Sequence, residues 1–479
     1  MPVVLDGTRP LERADVGGKA WGLNRMRAMG LPVPPAFALP TAHCAPVARD
    51  GALSDAIREQ LRDGIAWIER EMERTFATGP RPLLVSVRSG AANSMPGMMD
   101  TILNLGMTDE RERAVAAETG DATFAADVAA RFRRQFEEVV GAPAPADPWA
   151  QLEAAALAVF TSWTSPRAVT YREHHGIAGD GGTAVTVQAM VFGNIGDRSG
   201  TGVLFTRNPL TGDAAPFGEY LPGGQGEDVV SGRHDPLPLT AMAEREPACH
   251  AALLDAARSL EADARDVQDI EFTVQEGRLW LLQTRAAKRS PDAAIRLAVA
   301  LADEGVLSPT DALGRVSAQD LTSVLRPHID PVARRNATVL ATGEPACPGV
   351  GVGVVADDAE TAEDLADDGD IVLARPTTDP DDVHGMIASS AVITELGGST
   401  SHAAVVCREL GRPCVVGCGA GTLAPLTGRQ VTVDGATGDV FDGILPLVHR
   451  DPAADPDLTR LRAWAKAHPD AAAHLAGRL

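Results

Sequence analysis

The chain has 479 residues, more than a single hydrophobic core usually accommodates, so we expect at least two domains. Its net charge of −22 argues against a general nucleic-acid binder, which needs a basic face for the phosphate backbone. The N-terminus lacks the pattern of a secretory signal and no apolar run reaches about 18 residues, so we predict a cytoplasmic protein with neither a membrane nor a nucleic-acid partner.

The first part of the chain has the pattern of an α/β domain with a helical insert. A strand at 83–87 runs into a glycine-rich turn. Apolar residues recur at helical spacing in three stretches, 51–75, 109–140 and 148–173. The last two stretches are rich in Ala, Arg and Glu and predict a helical subdomain at about 109–175.

The pattern then changes from helices to strands. Apolar runs bounded by glycines predict strands at 184–191 and 201–206. Residues 270–274 and 278–283 predict a hairpin, because a short polar turn joins them. Paired strands hold polar side chains opposite one another, so this hairpin is a suitable place for a metal site.

A helical stretch follows to about residue 325, and prolines divide the remainder of the chain. We predict a first domain at 1–330, a linker at 331–347, a compact domain at 348–446 and a C-terminal connector at 447–479. The predicted fold class is α/β, in the α+β sense. Proline-bearing connectors on both sides suit a small mobile carrier domain, although ordinary domain linkers have the same composition.

The six cysteines are scattered, which is typical of reduced thiols rather than of a disulfide framework. Cys407, Cys414 and Cys418 lie near one another in the sequence, but their spacing lacks the paired C-x2-C knuckles of structural zinc sites. We therefore expect small buried thiols.

One segment carries the clearest chemical pattern. A strand at 391–394 is followed by two glycines, by Ser and Thr residues that suit a helix cap, and by a run of helix formers. His402 is therefore expected at or beside a helix N-terminus, where the dipole disfavours imidazolium and favours a bound anion. A neutral His402 can act as a nucleophile, and the hydroxyls of Thr400 and Ser401 can bind phosphoryl oxygens. The alternative is a histidine that only caps its own helix.

Two weaker features also suit phosphate binding. Arg88 leads from a strand into a loop at 88–101 that is rich in glycine and hydroxyl groups, and its N–H groups can approach phosphates closely. Lys19 follows a glycine pair at a predicted helix start. Taken alone, each has an ordinary interpretation, a glycine loop with a surface arginine and a solvated turn.

The hairpin brings together residues that suit a magnesium site. Asp269, Glu271 and Gln283 offer carboxylate and amide oxygens, and Mg²⁺ binds few protein ligands and completes its shell with phosphates and water. Arg285 shares a strand face with Gln283 and could hold a phosphoryl group through two hydrogen bonds. The alternative is a surface hairpin with ordinary alternation. A further glycine loop at 223–227 has neither Rossmann nor Walker spacing.

Together these motifs resemble the pyruvate, phosphate dikinase family over nearly the whole chain. The matching runs are GGKAWGLNRM (17–26), GLPVPPAFAL (30–39), LLVSVRSGAANSMPGMMDTILNLGM (83–107), FTSWTSPRAVTYR (160–172), GTAVTVQAMVFGNIGDRSGTGVLFTRNPLTG (182–212), GEYLPGGQGEDVVSG (218–232), DIEFTVQEGRLWLLQTRAAKR (269–289) and the His402 segment. The resemblance implies an ATP-grasp nucleotide domain, with the helical subdomain, followed by a swivelling β/β/α phosphohistidine domain.

The resemblance also implies roles for individual residues. Those matching the family's ATP and Mg²⁺ ligands are Lys19, Arg88, Asp269, Glu271, Gln283 and Arg285, of which Asp269, Glu271 and Gln283 hold the metal. Those expected near the nucleoside are Gln188, Met190, Val191, Gln225, Gly226 and Glu227. The expected catalytic residues are His402, Arg88, Arg285, Thr400 and Ser401.

In this family the histidine takes the β-phosphoryl group of ATP, AMP leaves, and inorganic phosphate receives the terminal phosphoryl group as pyrophosphate. The SMPGMMDT sequence is more similar to these phosphate-using enzymes than to the water-using phosphoenolpyruvate synthases. Thr400 matches a regulatory phosphorylation target of plant relatives, although a capping role is expected here.

Three departures from the family stand out. The segment between Met107 and Phe160 is shorter, which implies a trimmed helical insert, and Leu396 stands where relatives carry an arginine. The chain ends at Leu479, so we expect it to lack the (β/α)8 barrel that binds pyruvate and phosphoenolpyruvate, which needs about 200 residues or more. No acceptor domain is inserted between the two predicted domains, as it is in rifampicin phosphotransferases.

These departures leave three functional hypotheses. The first is a dikinase that loads His402 and passes the phosphoryl group to pyruvate on a separate barrel protein. The second is direct phosphorylation of another small molecule. The third is a non-catalytic ATP-binding regulatory module. None of the three hypotheses determines the oligomeric state, and each is compatible with a homodimer.

Overall fold

The computed structural model describes residues 1–93, 95, 99–174, 176–179, 181–230, 236–325, 328–448 and 452–475, without the side chains of 174, 227, 230 and 331. Both helices and β-sheets are present, which confirms a mixed class of the α+β kind. No helix among the described residues is long and apolar enough to cross a membrane.

The helices of the described residues are α1 (Arg13–Ala28), α2 (Cys44–Asp50), α3 (Asp55–Met72), α4 (Asp109–Thr119), α5 (Ala122–Val140), α6 (Pro148–Ser162), α7 (Pro166–His174), α8 (Gly226–Val230), α9 (Thr240–Arg245), α10 (Pro247–Ala264), α11 (Pro291–Asp303), α12 (Pro309–Arg315), α13 (Ala318–Val324), α14 (Pro331–Asn336), α15 (Ala359–Leu365), α16 (Val383–Ala388), α17 (His402–Leu410) and α18 (Pro456–Ala467).

The strands are β1 (Val3–Val4), β2 (Ala36–Leu39), β3 (Val85–Gly90), β4 (Thr101–Leu105), β5 (Ala184–Ala189), β6 (Gly200–Phe205), β7 (Phe217–Pro222), β8 (Leu237–Pro238), β9 (Gln268–Gln275), β10 (Arg278–Ala286), β11 (His328–Ile329), β12 (Val339–Thr342), β13 (Glu344–Cys347), β14 (Val350–Ala356), β15 (Ile371–Arg375), β16 (Ala391–Thr394), β17 (Cys414–Val416), β18 (Gln430–Asp434), β19 (Asp439–Asp442) and β20 (Leu447–Val448).

The chain forms two compact units. Unit 1 contains Met1–Thr201, Pro222–Gln225 and Ile270–Arg285. Unit 2 contains Gly202–Leu221, Gly226–Asp269 and Ala286–Leu479. This division does not follow the boundary predicted near residue 330, and the predicted domain limits stay predictions.

Unit 1 is built on an antiparallel sheet of order β1-β2-β5-β3-β4. It also contains most of the β9–β10 hairpin, which belongs to a second sheet of order β10-β9-β6-β7-β8. Strand β5 is buried along its whole length. Helix α3 begins at the Ser54 cap, whose hydroxyl accepts the Ile57 N–H. At Gly64 a side chain would lie 2.5 Å from the Phe37 ring, so glycine allows α3 to pack closely on β2.

Unit 2 contains an eight-stranded sheet of order β12-β19-β18-β14-β15-β16-β17-β13. Its centre, β14 to β17, is parallel, and the outer pairings are antiparallel. The carboxyl ends of β15 and β16 therefore lie at the same edge, with Arg375 paired to Thr394. Residues that follow these two strands are brought close together.

A helical layer in the same unit packs α18 against α11 and α12. Leu458 and Leu461 of α18 share one hydrophobic core with residues of α11 to α13, such as Leu297 and Leu313. The segment that we predicted as a C-terminal connector thus contributes buried apolar side chains to this unit. It also contributes β20, which pairs with β11.

The segment predicted as a linker, 331–347, also has regular structure. It contains α14, β12 and β13, and the two strands form the edges of the eight-stranded sheet. The Gly343-Glu-Pro345 sequence favoured a connector, because glycine and proline are common in turns and loops. Edge strands tolerate such residues, since one side of each strand has no partner in the sheet.

All six cysteines are free and buried, as expected for reduced thiols. Burial raises the pKa of the Cys418 thiol to about 12 and also raises that of Cys407. Among the described residues no group of three or more His, Cys, Asp or Glu could hold a metal ion.

Candidate active site

Arg88 lies at the centre of a polar cluster in unit 1. Strand β3 delivers its guanidinium between the central strand β5 and the hairpin. Nη2 donates to Gln283 Oε1 at 3.0 Å and to Glu271 Oε2 at 3.3 Å. Nη1 donates to Gln188 Oε1 at 3.3 Å and to the Leu282 carbonyl at 3.2 Å. One cation thus joins three residues that the sequence analysis assigned to ATP.

The glycine pair before Lys19 places this lysine in the same cluster. Gly17 interrupts α1 with φ +75°, and a side chain there would lie 1.9 Å from the Gly90 carbonyl oxygen. The Gly18 N–H donates to Ala91 O at 2.9 Å. Only glycine permits this approach, which joins the start of α1 to the end of β3 beside Arg88.

Lys19 is held among other cations. Part of the residue is exposed, but protein atoms surround its amine. Burial, followed by the positive charge of Arg88, lowers the pKa of Lys19 to about 7, against the opposing effect of Glu271. Arg285 acts in the same direction as Arg88 and so belongs to this electrostatic cluster. Such a set of cations suits a polyanionic ligand.

Glu271 and Gln283 supply the oxygen atoms that a Mg²⁺ ion prefers. Gln283 Nε2 donates to Glu271 Oε1 at 2.8 Å, so the two side chains are in contact across the hairpin. The pair provides one carboxylate and one amide oxygen, few enough for an ion that also binds phosphates and water. Their chemistry therefore fits the metal that the resemblance implies.

Asp269, the third predicted metal ligand, is two residues before Glu271 and so on the same strand face. It is buried and belongs to unit 2 by the division above. There its charge acts on the buried Arg408. Its role as a ligand stays a prediction.

The residues predicted near the nucleoside are positioned by backbone contacts. Gln188 is 2% exposed and its Nε2 donates to Pro34 O at 3.4 Å. The Met190 N–H donates to Leu84 O at 2.9 Å, and Val191 is buried. Within unit 1, a side chain on Gly193 would lie 2.3 Å from Gly224 O, so this segment runs close to the loop that carries the buried Gln225.

Two of the predicted phosphate and nucleoside segments lie partly outside the described residues. Gly226 begins α8, but the Glu227 side chain lies outside the described part of the chain. Residues 94 and 96–98 of the SMPGMMDT sequence also lie outside it.

In unit 2, His402 is the first residue of α17, as predicted. Ser401 is the N-cap, and its hydroxyl accepts the Ala404 N–H. Helix α17 ends at Gly411, whose φ of +63° is suited to glycine. His402 therefore does not cap the helix itself. It lies beside the N–H groups of the first turn of α17, which have no partner within the helix.

The His402 ring has one bonded and one unbonded nitrogen. Nδ1 lies 3.1 Å from Thr378 Oγ1, and Nε2 is buried without a hydrogen-bond partner among the described residues. Burial lowers the pKa of His402 to about 4, against the opposing charge of Asp379. Burial is thus the main cause, whereas the sequence suggested the helix dipole. A neutral imidazole is a nucleophile, and when the proton is on Nδ1 the reactive lone pair is on Nε2.

The hydroxyls expected to bind a phosphoryl group have other partners in this structure. Thr400 Oγ1 donates to Glu219 Oε2 at 2.5 Å, and Ser399 Oγ donates to Glu219 Oε1 at 2.7 Å. The Ser401 hydroxyl caps α17. In this structure the Thr400 hydroxyl therefore holds the loop before His402, and the Ser401 hydroxyl stabilises the start of α17.

Sequence reasoning missed two residues of this site. Thr378 follows β15 and reaches His402 because β15 and β16 are neighbouring parallel strands. A polar Thr-Thr-Asp sequence directly after a buried strand was the signal that could have identified it. Glu219 is separated from Thr400 by 181 positions, and no local pattern marks it.

Two parts of the chain match known domain families. Residues 49–251 match the family described as pyruvate phosphate dikinase, AMP/ATP-binding domain. Residues 366–438 match the PEP-utilising enzyme, mobile domain. The first match contains Arg88 and Gln188, and the second contains Thr378 and His402.

Similar proteins share sequence with almost the whole chain. Pyruvate, phosphate dikinase of Rhizobium meliloti (strain 1021) is 39% identical over 95% of this chain and 58% of its own length. Pyruvate, phosphate dikinase 2 of Zea mays is 40% identical over 94% of this chain and 57% of its own length. The enzyme of Clostridium symbiosum is 37% identical over 94% and 58%, respectively.

The chain thus spans somewhat more than half of the length of these relatives. The chain is thus similar to pyruvate, phosphate dikinases in these relatives and in the two domain matches.

Proposed function

We propose that the chain is an ATP-dependent phosphotransferase of the dikinase type, in which His402 carries the phosphoryl group. The observation that carries this proposal is the buried, unbonded Nε2 of a neutral histidine at the start of α17. A buried nitrogen without a partner is costly, and a bond to phosphorus accounts for it. The family resemblance supports the same assignment.

The proposed reaction converts ATP, phosphate and His402 into AMP, pyrophosphate and phospho-His402. The Nε2 lone pair forms a bond to the β-phosphorus, and the bond from that phosphorus to the AMP oxygen breaks. The γ-phosphoryl group passes to inorganic phosphate and leaves as pyrophosphate. Thr378 Oγ1 can accept a hydrogen bond from a protonated Nδ1, and this tautomer keeps Nε2 unprotonated for attack.

The unit 1 cluster would bind the triphosphate. Positive charge in this cluster comes from Arg88, Lys19 and Arg285. Oxygen ligands come from Glu271 and Gln283 of the same cluster. Mg²⁺, when held by Glu271 and Gln283, with Asp269 as the further predicted ligand, would neutralise phosphate charge. Gln188, Met190, Val191 and the loop around Gln225 are the proposed nucleoside side of the site.

We also propose that the two predicted domains act as an ATP-grasp domain and a swivelling phosphohistidine domain. The final acceptor would be pyruvate, bound by a barrel on a separate chain, with phosphoenolpyruvate as the product. A small molecule phosphorylated directly is the alternative acceptor. These parts of the proposal rest on the family alone.

A labelling experiment tests the first half-reaction. Purified protein with Mg²⁺, phosphate and ATP labelled at the β-phosphorus should gain acid-labile label, and the His402→Asn variant should gain none. Label from the γ-phosphorus should appear in pyrophosphate instead. ATP binding without AMP formation would contradict the proposal and favour a regulatory module. Adding pyruvate with a barrel-bearing protein, or candidate small molecules, then identifies what removes the label.

A further inference from the structure

The loop that precedes His402 is held by a carboxylate distant in sequence. Glu219 lies in the middle of β7 and is 6% exposed. Each of its oxygens accepts one hydroxyl, Oε1 from Ser399 at 2.7 Å and Oε2 from Thr400 at 2.5 Å. Both hydroxyl-bearing residues are at most 2% exposed. Hydrogen bonds to a buried carboxylate are among the stronger ones in proteins.

Two glycines make this contact possible. A side chain on Gly398 would lie 2.7 Å from Glu219 Oε1, so only glycine lets the loop come this close. A side chain on Gly218 would lie 2.2 Å from Val203 O, which fixes β7 closely against β6. The carboxylate is therefore presented from a rigid strand rather than from a mobile loop.

The other side of the loop is held by Arg408 of α17. Its Nη1 donates to Ser399 O at 2.8 Å and to Ala346 O at 3.1 Å, and the residue is 3% exposed. Ser399 is thus bonded through its hydroxyl to Glu219 and through its carbonyl to Arg408. The next two residues after Thr400 are the helix cap and His402, so displacement of the loop would displace the nucleophile.

We infer that Glu219 is a positioning residue for His402, which fixes the start of α17 by accepting the Ser399 and Thr400 hydroxyls. This inference rests on the proposed function of His402. Phosphoryl transfer is sensitive to placement, and a misplacement of about 1 Å can cost about a hundredfold in rate. Glu219 is not one of the residues proposed to bind ATP, so we expect ATP binding to be independent of it.

The test compares Glu219→Ala, Glu219→Gln and Thr400→Val with the wild type in single-turnover phosphorylation of His402. We expect Glu219→Ala to lower the phosphorylation rate about tenfold or more, with the Kd for ATP changed by less than about twofold. Glu219→Gln keeps an oxygen acceptor and the shape of the side chain, so it should recover part of the rate. Thr432→Val is the matched control, because Thr432 is a buried threonine of β18 in the same unit, and its hydroxyl donates to Gly443 O rather than to Glu219.

A double-mutant cycle separates positioning from general stability. Because Glu219 acts through Thr400, the rate losses of Glu219→Ala and Thr400→Val should be clearly less than additive. Additive losses, or a wild-type rate in Glu219→Ala, would overturn the inference. If Glu219→Ala does not fold, the same double-mutant cycle can be measured with Glu219→Gln and Thr400→Val. Failure of the wild type to form phospho-His402 would instead refute the proposed function.

Discussion

The Arg88 cluster contains several charged side chains, whereas the start of α17 holds a buried, neutral histidine. Around Arg88, cations and a carboxylate lie close together, and burial, followed by the charge of Arg88, lowers the pKa of Lys19. Around His402 the main influence is burial, which leaves the ring neutral and one nitrogen without a hydrogen bond. The first region is suited to hold an anion with positive charge, and the second to attack with a lone pair. The difference predicts which substitutions impair binding and which impair transfer.

The largest expected effect comes from removing the central cation. Arg88→Gln should lower the rate of His402 phosphorylation about 10²- to 10³-fold, because a preorganised donor to the phosphates is lost. Single-turnover labelling with β-labelled ATP measures this rate.

Arg133→Gln provides the control for that variant. Arg133 is 49% exposed and pairs with Asp109 and Glu112 on the helical part of unit 1. Exposed pairs contribute only about 0–1 kcal/mol, so phosphorylation should not change. An Arg88→Gln protein that loads His402 at the wild-type rate would remove Arg88 from the site.

Lys19 provides a test of binding rather than of transfer. Lys19→Met should weaken ATP binding about ten- to a hundredfold, because a charged hydrogen bond to phosphate is lost. At pH 8 the wild type, with a Lys19 pKa of about 7, should take up as much as about one proton when ATP binds. Titration calorimetry in buffers of different ionisation enthalpy measures that uptake, and equal uptake by Lys19→Met would contradict the assignment.

The lowered pKa of Lys19 also determines how the free energy of unfolding should change with pH in the absence of ATP. Between about pH 7 and pH 10.5 the unfolded chain carries the Lys19 proton and the folded chain does not. The free energy of unfolding should therefore gain a contribution that rises with pH across this window. This contribution should be absent from Lys19→Met, which thermal melting at several pH values can show.

A smaller effect is expected from the partner of the histidine. Thr378→Val should lower the phosphorylation rate about three- to tenfold, because the hydrogen bond that orients Nδ1 is lost. ¹⁵N NMR of the ring should show a mixture of tautomers, and Thr378→Ser should restore both the rate and a single tautomer. An unchanged ¹⁵N spectrum in Thr378→Val would show that Thr378 does not fix the tautomer.

The smallest expected change concerns pH. With a pKa of about 4, His402 stays neutral at pH 5, so the single-turnover rate at saturating ATP should fall by less than about twofold between pH 7.5 and pH 5. An ordinary histidine pKa would reduce the neutral fraction about thirtyfold over that range. A steep fall that follows the NMR titration of the His402 ring would show that the ring is not shielded as described.

The sequence predicted much of the histidine site because its signals are local. A strand, two glycines, capping residues and helix formers follow one another within 391–410, and each element appears where it was expected. The β9–β10 hairpin was found for the same reason, since a tight turn joins its strands. Burial of the ring could not be read from this pattern, although it is the main cause of the lowered pKa of His402.

The contacts that the sequence did not reveal are distant along the chain. Glu219 reaches Thr400 across 181 positions, and its partners follow from how β7 is placed in unit 2. The edge strands β12 and β13 were assigned to a linker because short strands with glycine and proline resemble connectors. Contacts of this kind depend on tertiary packing, which overrides local propensity.

The most direct test of the central claim is to follow the β-phosphorus of ATP onto the protein. With Mg²⁺ and phosphate present, the wild-type chain should carry label that is stable in base and lost in acid, as expected for phosphohistidine, and AMP should form in equal amount. The His402→Asn variant should bind ATP with unchanged affinity and carry no label. Label that survives in His402→Asn, or ATP bound by the wild type without any label or AMP, would contradict a phosphoryl carrier at His402.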